Sequence, residues 1–276
     1  MQRIDAHQHF WQFDPVRDSW ISEEMAVIQK DFLPKDIQPV LQENNIDGCV
    51  TVQSDQSEKE NEFQLNNAAA FDFIKGVVGW VDLQAKAVEE RLAYYCSFKK
   101  MKGFRHILQG EADRALMLKP AFMNGMAKLK QFGFTYDVLI FPDQLKYVGG
   151  LVAAFPDQKF VIDHIAKPGI KEHKTGDWEK DIRSLGGFEN LYCKISGMVT
   201  EADWKNWERD NFTPYMDTVV DAFGTSRIMF GSDWPVCLVA ASYKQMLEIV
   251  TDYFSSFTVN EKENFFGLNA VQFYNL

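Results

Sequence analysis

The chain has 276 residues, 46% of them hydrophobic, and a formal net charge of -10 at pH 7. That length suits one α/β barrel domain, which takes about 250 residues. The acidic balance argues against a nucleic-acid or anionic-membrane partner, since those need clustered Lys and Arg, and favours a small neutral or weakly charged substrate.

The chain enters a strand at once, without a basic and apolar leader, and no apolar run approaches the roughly 20 residues of a membrane span. The expectation is a cytoplasmic protein. Short β-branched or apolar runs predict strands at 3–8, 48–53, 75–82, 102–106, 134–140, 159–164, 191–196 and 228–232. Helical periodicity fills the gaps, as in Phe122, Met126 and Leu129, and in Leu145, Val148, Leu151, Val152 and Phe155. Thr213 and Pro214 predict a helix start, Met216, Val219, Val220 and Phe223 its apolar stripe, and Gly224 its end. A last helix is expected from near Asn260, capped with Glu263 and covering the barrel with Phe265, Leu268 and Phe273. Cys49, Cys96, Cys193 and Cys237 lack any Cys-x-x-Cys spacing and read as reduced structural thiols in apolar surroundings.

Eight strand–helix units imply a parallel sheet and favour a (β/α)8 TIM barrel, as a single domain over 1–276, with an open doubly wound sheet as the alternative. The long connections, 9–34, 107–118, 165–176 and 197–212, all follow strands. Barrel enzymes build their sites on such loops. The first carries Trp11, Phe13 and Trp20, and the last carries Trp204 and Trp207, which can stack on a sugar or anchor the loops.

His7 and His9 stand at i and i+2 on the first strand, so they leave one face together. His164 and Asp233 are expected at the ends of the sixth and eighth strands, where an imidazole can bind a metal or polarise a carbonyl and a carboxylate can hold a water. Alternation would then turn Asp163 towards the helix layer. On the fourth strand only one of Arg105 and His106 can readily face inward; Arg105 is preferred, with His106 as the substrate-binding alternative. Gln53 and Ser196 end their strands and can bond substrate hydroxyls. Trp11 and Trp234 complete the substrate-binding candidates.

These features resemble the amidohydrolase superfamily, amidohydrolase family 2. The similarity runs through Ile4-Asp5-Ala6-His7-Gln8-His9-Phe10-Trp11, Asp163-His164-Ile165-Ala166-Lys167-Pro168, Tyr192-Cys193-Lys194-Ile195-Ser196-Gly197 with Thr200-Glu201-Ala202, and Phe230 to Val236. It covers essentially the whole chain and is nearest the branch of sugar lactonases that act on L-fucono-, L-rhamnono- or L-galactono-lactone types. The resemblance implies a metal set of His7, His9, His164 and Asp233 for one divalent ion, Zn2+ first, which the branch does not always require. Two-metal members carry a bridging lysine on a middle strand; none ends the fourth or fifth strand here, and Lys102 begins its own. A binuclear site is therefore not expected.

The implied reaction is lactone hydrolysis to an aldonic acid. Asp233 would be general base, and His164, Arg105 and the His7/His9 pair would stabilise the oxyanion. An alkoxide leaves readily, and no Gly-x-Ser-x-Gly nucleophile is present. The alternatives are a mononuclear zinc decarboxylase and a barrel that binds sugar acids without turnover. The oligomeric state is not legible from sequence.

Overall fold

All eight predicted strands form in the computed structural model, which describes residues 2–276: β1 (Ile4–Gln8), β2 (Gly48–Val52), β3 (Ile74–Gly79), β4 (Met101–His106), β5 (Thr135–Val138), β6 (Phe160–Ile162), β7 (Leu191–Ile195) and β8 (Ile228–Phe230). They are parallel and neighbour one another in chain order. The ring closes just past the strand ends, where Gln8 bridges Trp234 and His9 N–H donates to the Trp234 carbonyl at 2.7 Å. This is a (β/α)8 barrel.

Two apolar layers hold it. Inside the ring, Val50, Val52, Val78, Val161 and Met229 pack together, closed from below by Ala270, Phe273 and Tyr274 of the C-terminal helix. Outside, the predicted stripes are buried against the strands: Phe122, Met126 and Leu129 in one helix, Leu145, Val148, Leu151 and Val152 in the next. Each such side chain contributes about 1.5–3 kcal/mol by leaving water.

Four local expectations shift. The helix Thr213–Phe223 ends at Gly224 as read, but its N-cap position is Phe212, with Thr213 inside the helix. The late capping box is Thr258 with Glu261, not Asn260 with Glu263, because the hydroxyl that accepts the Glu261 N–H stands two residues earlier. Phe265 and Phe273 are buried as expected, whereas Leu268 faces solvent. Cys49, Cys193 and Cys237 are buried free thiols; Cys96, expected in apolar surroundings, is exposed.

Two departures from ideal strand geometry shape the mouth. The β1–β2 ladder slips between Asp5 and Gln8, next to the two histidines. After β6 ends, His164, Ile165, Ala166 and Lys167 all take positive φ, from 47° to 58°. For residues with a Cβ this conformation costs about 1–2 kcal/mol each. The turn is held by its own bond from Lys167 N–H to the His164 carbonyl at 2.8 Å and by Trp178 Nε1 donating to Ile165 O at 2.7 Å.

Candidate active site

Four side-chain atoms converge at the mouth of the barrel. Asp233 Oδ1 lies 3.3 Å from His9 Nε2, 3.8 Å from His164 Nε2 and 3.9 Å from His7 Nε2. Asp233 is aimed there by its own positive φ of 57° and by its N–H, which donates to the His7 carbonyl at 2.8 Å. His164 is swung over the mouth by the left-handed turn, and its Nδ1 is hydrogen-bonded to Ser196 Oγ at 2.9 Å. Gly197 and Gly231 make room: a Cβ at Gly197 would stand 2.6 Å from His164 Nδ1, and one at Gly231 2.6 Å from His7 Cβ.

The floor beneath is ionic. Arg105 faces inward as preferred, with Nη1 donating to Asp163 Oδ2 at 3.0 Å and to His7 Nε2 at 3.3 Å, and Nη2 donating to the carbonyl and Oε1 of Gln53. Among the described residues its Nε–H finds no partner. Asp163 is a correction to the sequence reading. It points into the barrel, fully buried, because strand alternation keeps it in phase with inward Val161, while positive φ brings His164 inward as well. Lys194, which sequence reasoning left unassigned within its motif, is also fully buried here, bonded to Asp137 and 3.1 Å from His7 Nδ1. A lysine in mid-strand, on alternate positions with Tyr192 and the strand-end Ser196, was the available signal.

Above the ions is a cavity of about 410 Å³ whose walls include Trp11, Trp20, Trp204, Lys167, Glu201 and Asp233. The other substrate-binding candidates stand elsewhere. Gln53 is spent on Arg105 and Ser196 on His164. Trp234 packs edge-on against Phe10 and Phe32, outside the cavity wall. His106 faces away from the barrel axis, against Phe122, and pairs with Glu111 at 2.7 Å.

The electrostatics divide the carboxyls. Burial pushes the Asp233 carboxyl up, but His164, the His9 hydrogen bond and Lys167 outweigh it and hold the group below its usual range. Burial raises Glu201, with Lys167 only partly opposing at 3.7 Å. Burial also holds His7 and His164 well below the usual imidazole range.

The mouth also fits a cation. His9 Nε2 stands 3.2 Å from His7 Nε2 and 3.3 Å from Asp233 Oδ1, with His9 Nδ1 turned to Val52 O at 2.7 Å, so three possible ligand atoms crowd one point. His7, His164 and Asp233 offer ligand atoms within 4.8 Å of one another, a nitrogen-and-oxygen set that suits Zn2+.

The family model described as amidohydrolase matches residues 4–276. The chain belongs to the amidohydrolase family. Among relatives of this amidohydrolase, the L-fucono-1,5-lactonase of Burkholderia multivorans (strain ATCC 17616 / 249) is 37% identical over 285 residues, covering 99% of this chain and 96% of its own. Among solved structures, a Burkholderia multivorans amidohydrolase with bound zinc superposes with a TM-score of 0.97 at 37% identity, covering 100% of both chains. The 5-carboxyvanillate decarboxylase of Novosphingobium aromaticivorans, complexed with manganese and a nitrobenzoic acid, gives a TM-score of 0.71 at 13% identity, over 100% of this chain and 96% of its own. That last likeness shows the fold alone.

Proposed function

We propose that this amidohydrolase hydrolyses the ring ester of a sugar-derived lactone to its aldonic acid. The observation that carries the reading is the pair of carboxyls on one cavity, Asp233 held ionised and Glu201 pushed towards its protonated form. Environments that drive two carboxyls apart in this way assign a base and an acid. The end-to-end likeness to a protein named L-fucono-1,5-lactonase supports the substrate class and makes L-fuconolactone the first lactone to test.

In this reading Asp233 holds a water and takes its proton as the oxygen attacks the lactone carbonyl. His164, with Nδ1 tied to Ser196, presents Nε2 to the developing oxyanion, and Lys167 and Arg105 add positive potential to that side of the cavity. Glu201 supplies the proton that the ring oxygen needs as its bond to the carbonyl carbon breaks. Trp20 and Trp204 offer flat apolar surfaces to the C–H face of a sugar ring, while Trp11, almost wholly buried, packs edge-on behind Trp20. A divalent ion held by His7, His164 and Asp233, with His9 beside them, would supply Lewis-acid polarisation of the carbonyl.

Among the described residues no helix is long and apolar enough to cross a membrane. The four free thiols support a reducing compartment, hence the cytoplasm. The test is a pH-indicator assay across L-fucono-, L-rhamnono- and L-galactono-lactones. Acid release from at least one of them, faster than from simple amides, is the expected result. Carbon dioxide release from aromatic acids without lactone turnover would replace this reading with the decarboxylase one, and binding without turnover would replace it with the sugar-acid binder.

A further inference from the structure

A second ligand cluster lies below the mouth. His7, Asp137 and Asp163, all fully buried, offer donor atoms within 4.8 Å of one another. The centre of that cluster holds Lys194 Nζ, bonded to Asp137 Oδ2, 3.0 Å from Asp163 Oδ1 and 3.1 Å from His7 Nδ1. Tyr274, rising from the C-terminal helix, donates its hydroxyl to Asp137 at 2.8 Å and fixes that carboxylate from below. Two carboxylate oxygens and an imidazole nitrogen around one point form the donor set of a divalent ion. A second observation agrees: Asp163 Oδ1 is buried without a directional hydrogen bond, although Lys194 Nζ and His7 Nδ1 stand 3.0 and 3.2 Å away. It faces a charge rather than a well-aligned N–H.

We propose that Lys194 is a tethered cation occupying a latent second metal site, and that removing its side chain opens that site to a divalent ion. Charge balance gives the physical reason. Lys194 and Arg105 neutralise Asp137 and Asp163 in a nearly solvent-free volume, with Arg105 Nη1 3.0 Å from Asp163 Oδ2. Deleting one buried cation leaves an uncompensated carboxylate, which is strongly unfavourable. A small divalent ion at the same point restores the compensation and uses the ligands already in place. The fixed ammonium thus gives the floor its positive charge regardless of metal supply and excludes a second ion from it.

The test counts zinc in a His164→Asn/Asp233→Asn background, which withdraws mouth donors so that the floor is read alone. That background should retain no zinc after desalting. Adding Lys194→Ala should restore about one equivalent per chain, because binding free energy at a buried site is also folding free energy. Adding Asp137→Asn as well should abolish it again. A folded Lys194→Ala chain that holds no zinc, or that holds it equally with Asp137→Asn, overturns the proposal. Because loss of a buried cation can unfold the chain, each variant is also refolded with and without zinc and followed by circular dichroism. Zinc-dependent folding of Lys194→Ala supports the proposal, and a chain that stays unfolded with zinc overturns it.

Discussion

Asp233 and His7 are joined twice: the Asp233 N–H donates to the His7 carbonyl at 2.8 Å, and Asp233 Oδ1 lies 3.9 Å from His7 Nε2. The bond that helps close the ring between β8 and β1 therefore also aims the carboxylate. Barrel closure and site assembly are one structural event, and substitutions here will separate poorly into stability and activity effects unless they keep the backbone intact.

Asp233→Asn keeps the volume and the backbone but cannot take a proton. We predict that kcat on the preferred lactone falls about 100-fold to 10,000-fold, the usual loss for a positioned base, while KM changes little. In the wild type the rate should fall on acidification only below the ordinary carboxylate range, because Asp233 is held low. Steady-state kinetics across pH check both; a variant with a tenth or more of wild-type kcat would remove Asp233 from the role.

Glu201→Gln tests the acid. Burial raises the Glu201 carboxyl, so the protonated form survives to higher pH and the rate should decline as pH rises through that raised value. The variant should lose this alkaline limb and about 100-fold or more in kcat. Lactones with better leaving groups should suffer less, since they need the proton less. An unchanged alkaline limb would exclude Glu201.

Asp5 makes a stability prediction. It accepts bonds from Ser232 N–H and Oγ, Tyr243 OH and the His7 N–H, yet burial dominates and lifts it from 3.8 to about 6. A carboxyl raised in the folded state contributes stability that is full below its unfolded value and lost as pH rises through the folded one. From pH 4 to 7 this one group should therefore cost on the order of 3 kcal/mol. Asp5→Asn should flatten that part of the pH dependence of the urea midpoint, and an identical slope in both proteins would refute the assignment.

Gly197→Ala tests how His164 is placed. Gly197 sits at φ 62°, and an added Cβ would meet His164 Nδ1 at 2.6 Å. The backbone term costs about 1–2 kcal/mol, and the ring must give way. We expect a moderate fall in melting temperature with a larger loss of kcat. Ser196→Ala, which frees the ring without pushing it, should lose about 10-fold to 100-fold, as outer hydrogen-bond partners of catalytic imidazoles typically do. Equal losses of stability and activity in Gly197→Ala would count against a specific effect on His164.

The sequence by itself determined the eight strand–helix units, the parallel order and the end of the barrel where the candidate site residues gather. Period-two and period-3.6 apolar patterns report burial directly, and His7, His9, His164 and Asp233 stood at the strand ends where such patterns stop. Alternation showed that only one of Arg105 and His106 can face inward, and the donor fork of the guanidinium favoured Arg105. Tertiary structure decided what alternation could not reach. Asp163 and His164 are adjacent yet both face inward, because four consecutive left-handed residues follow β6 and no local propensity encodes that turn. Lys194 had no role assigned within its motif; only the meeting of β5, β6, β7 and the C-terminal Tyr274 surrounds it with Asp137 and Asp163. Gln53 and Ser196 looked like substrate donors, and their bonds go instead to Arg105 and His164. Those bonds join residues far apart in the chain, and their geometry exists only once the ring has closed.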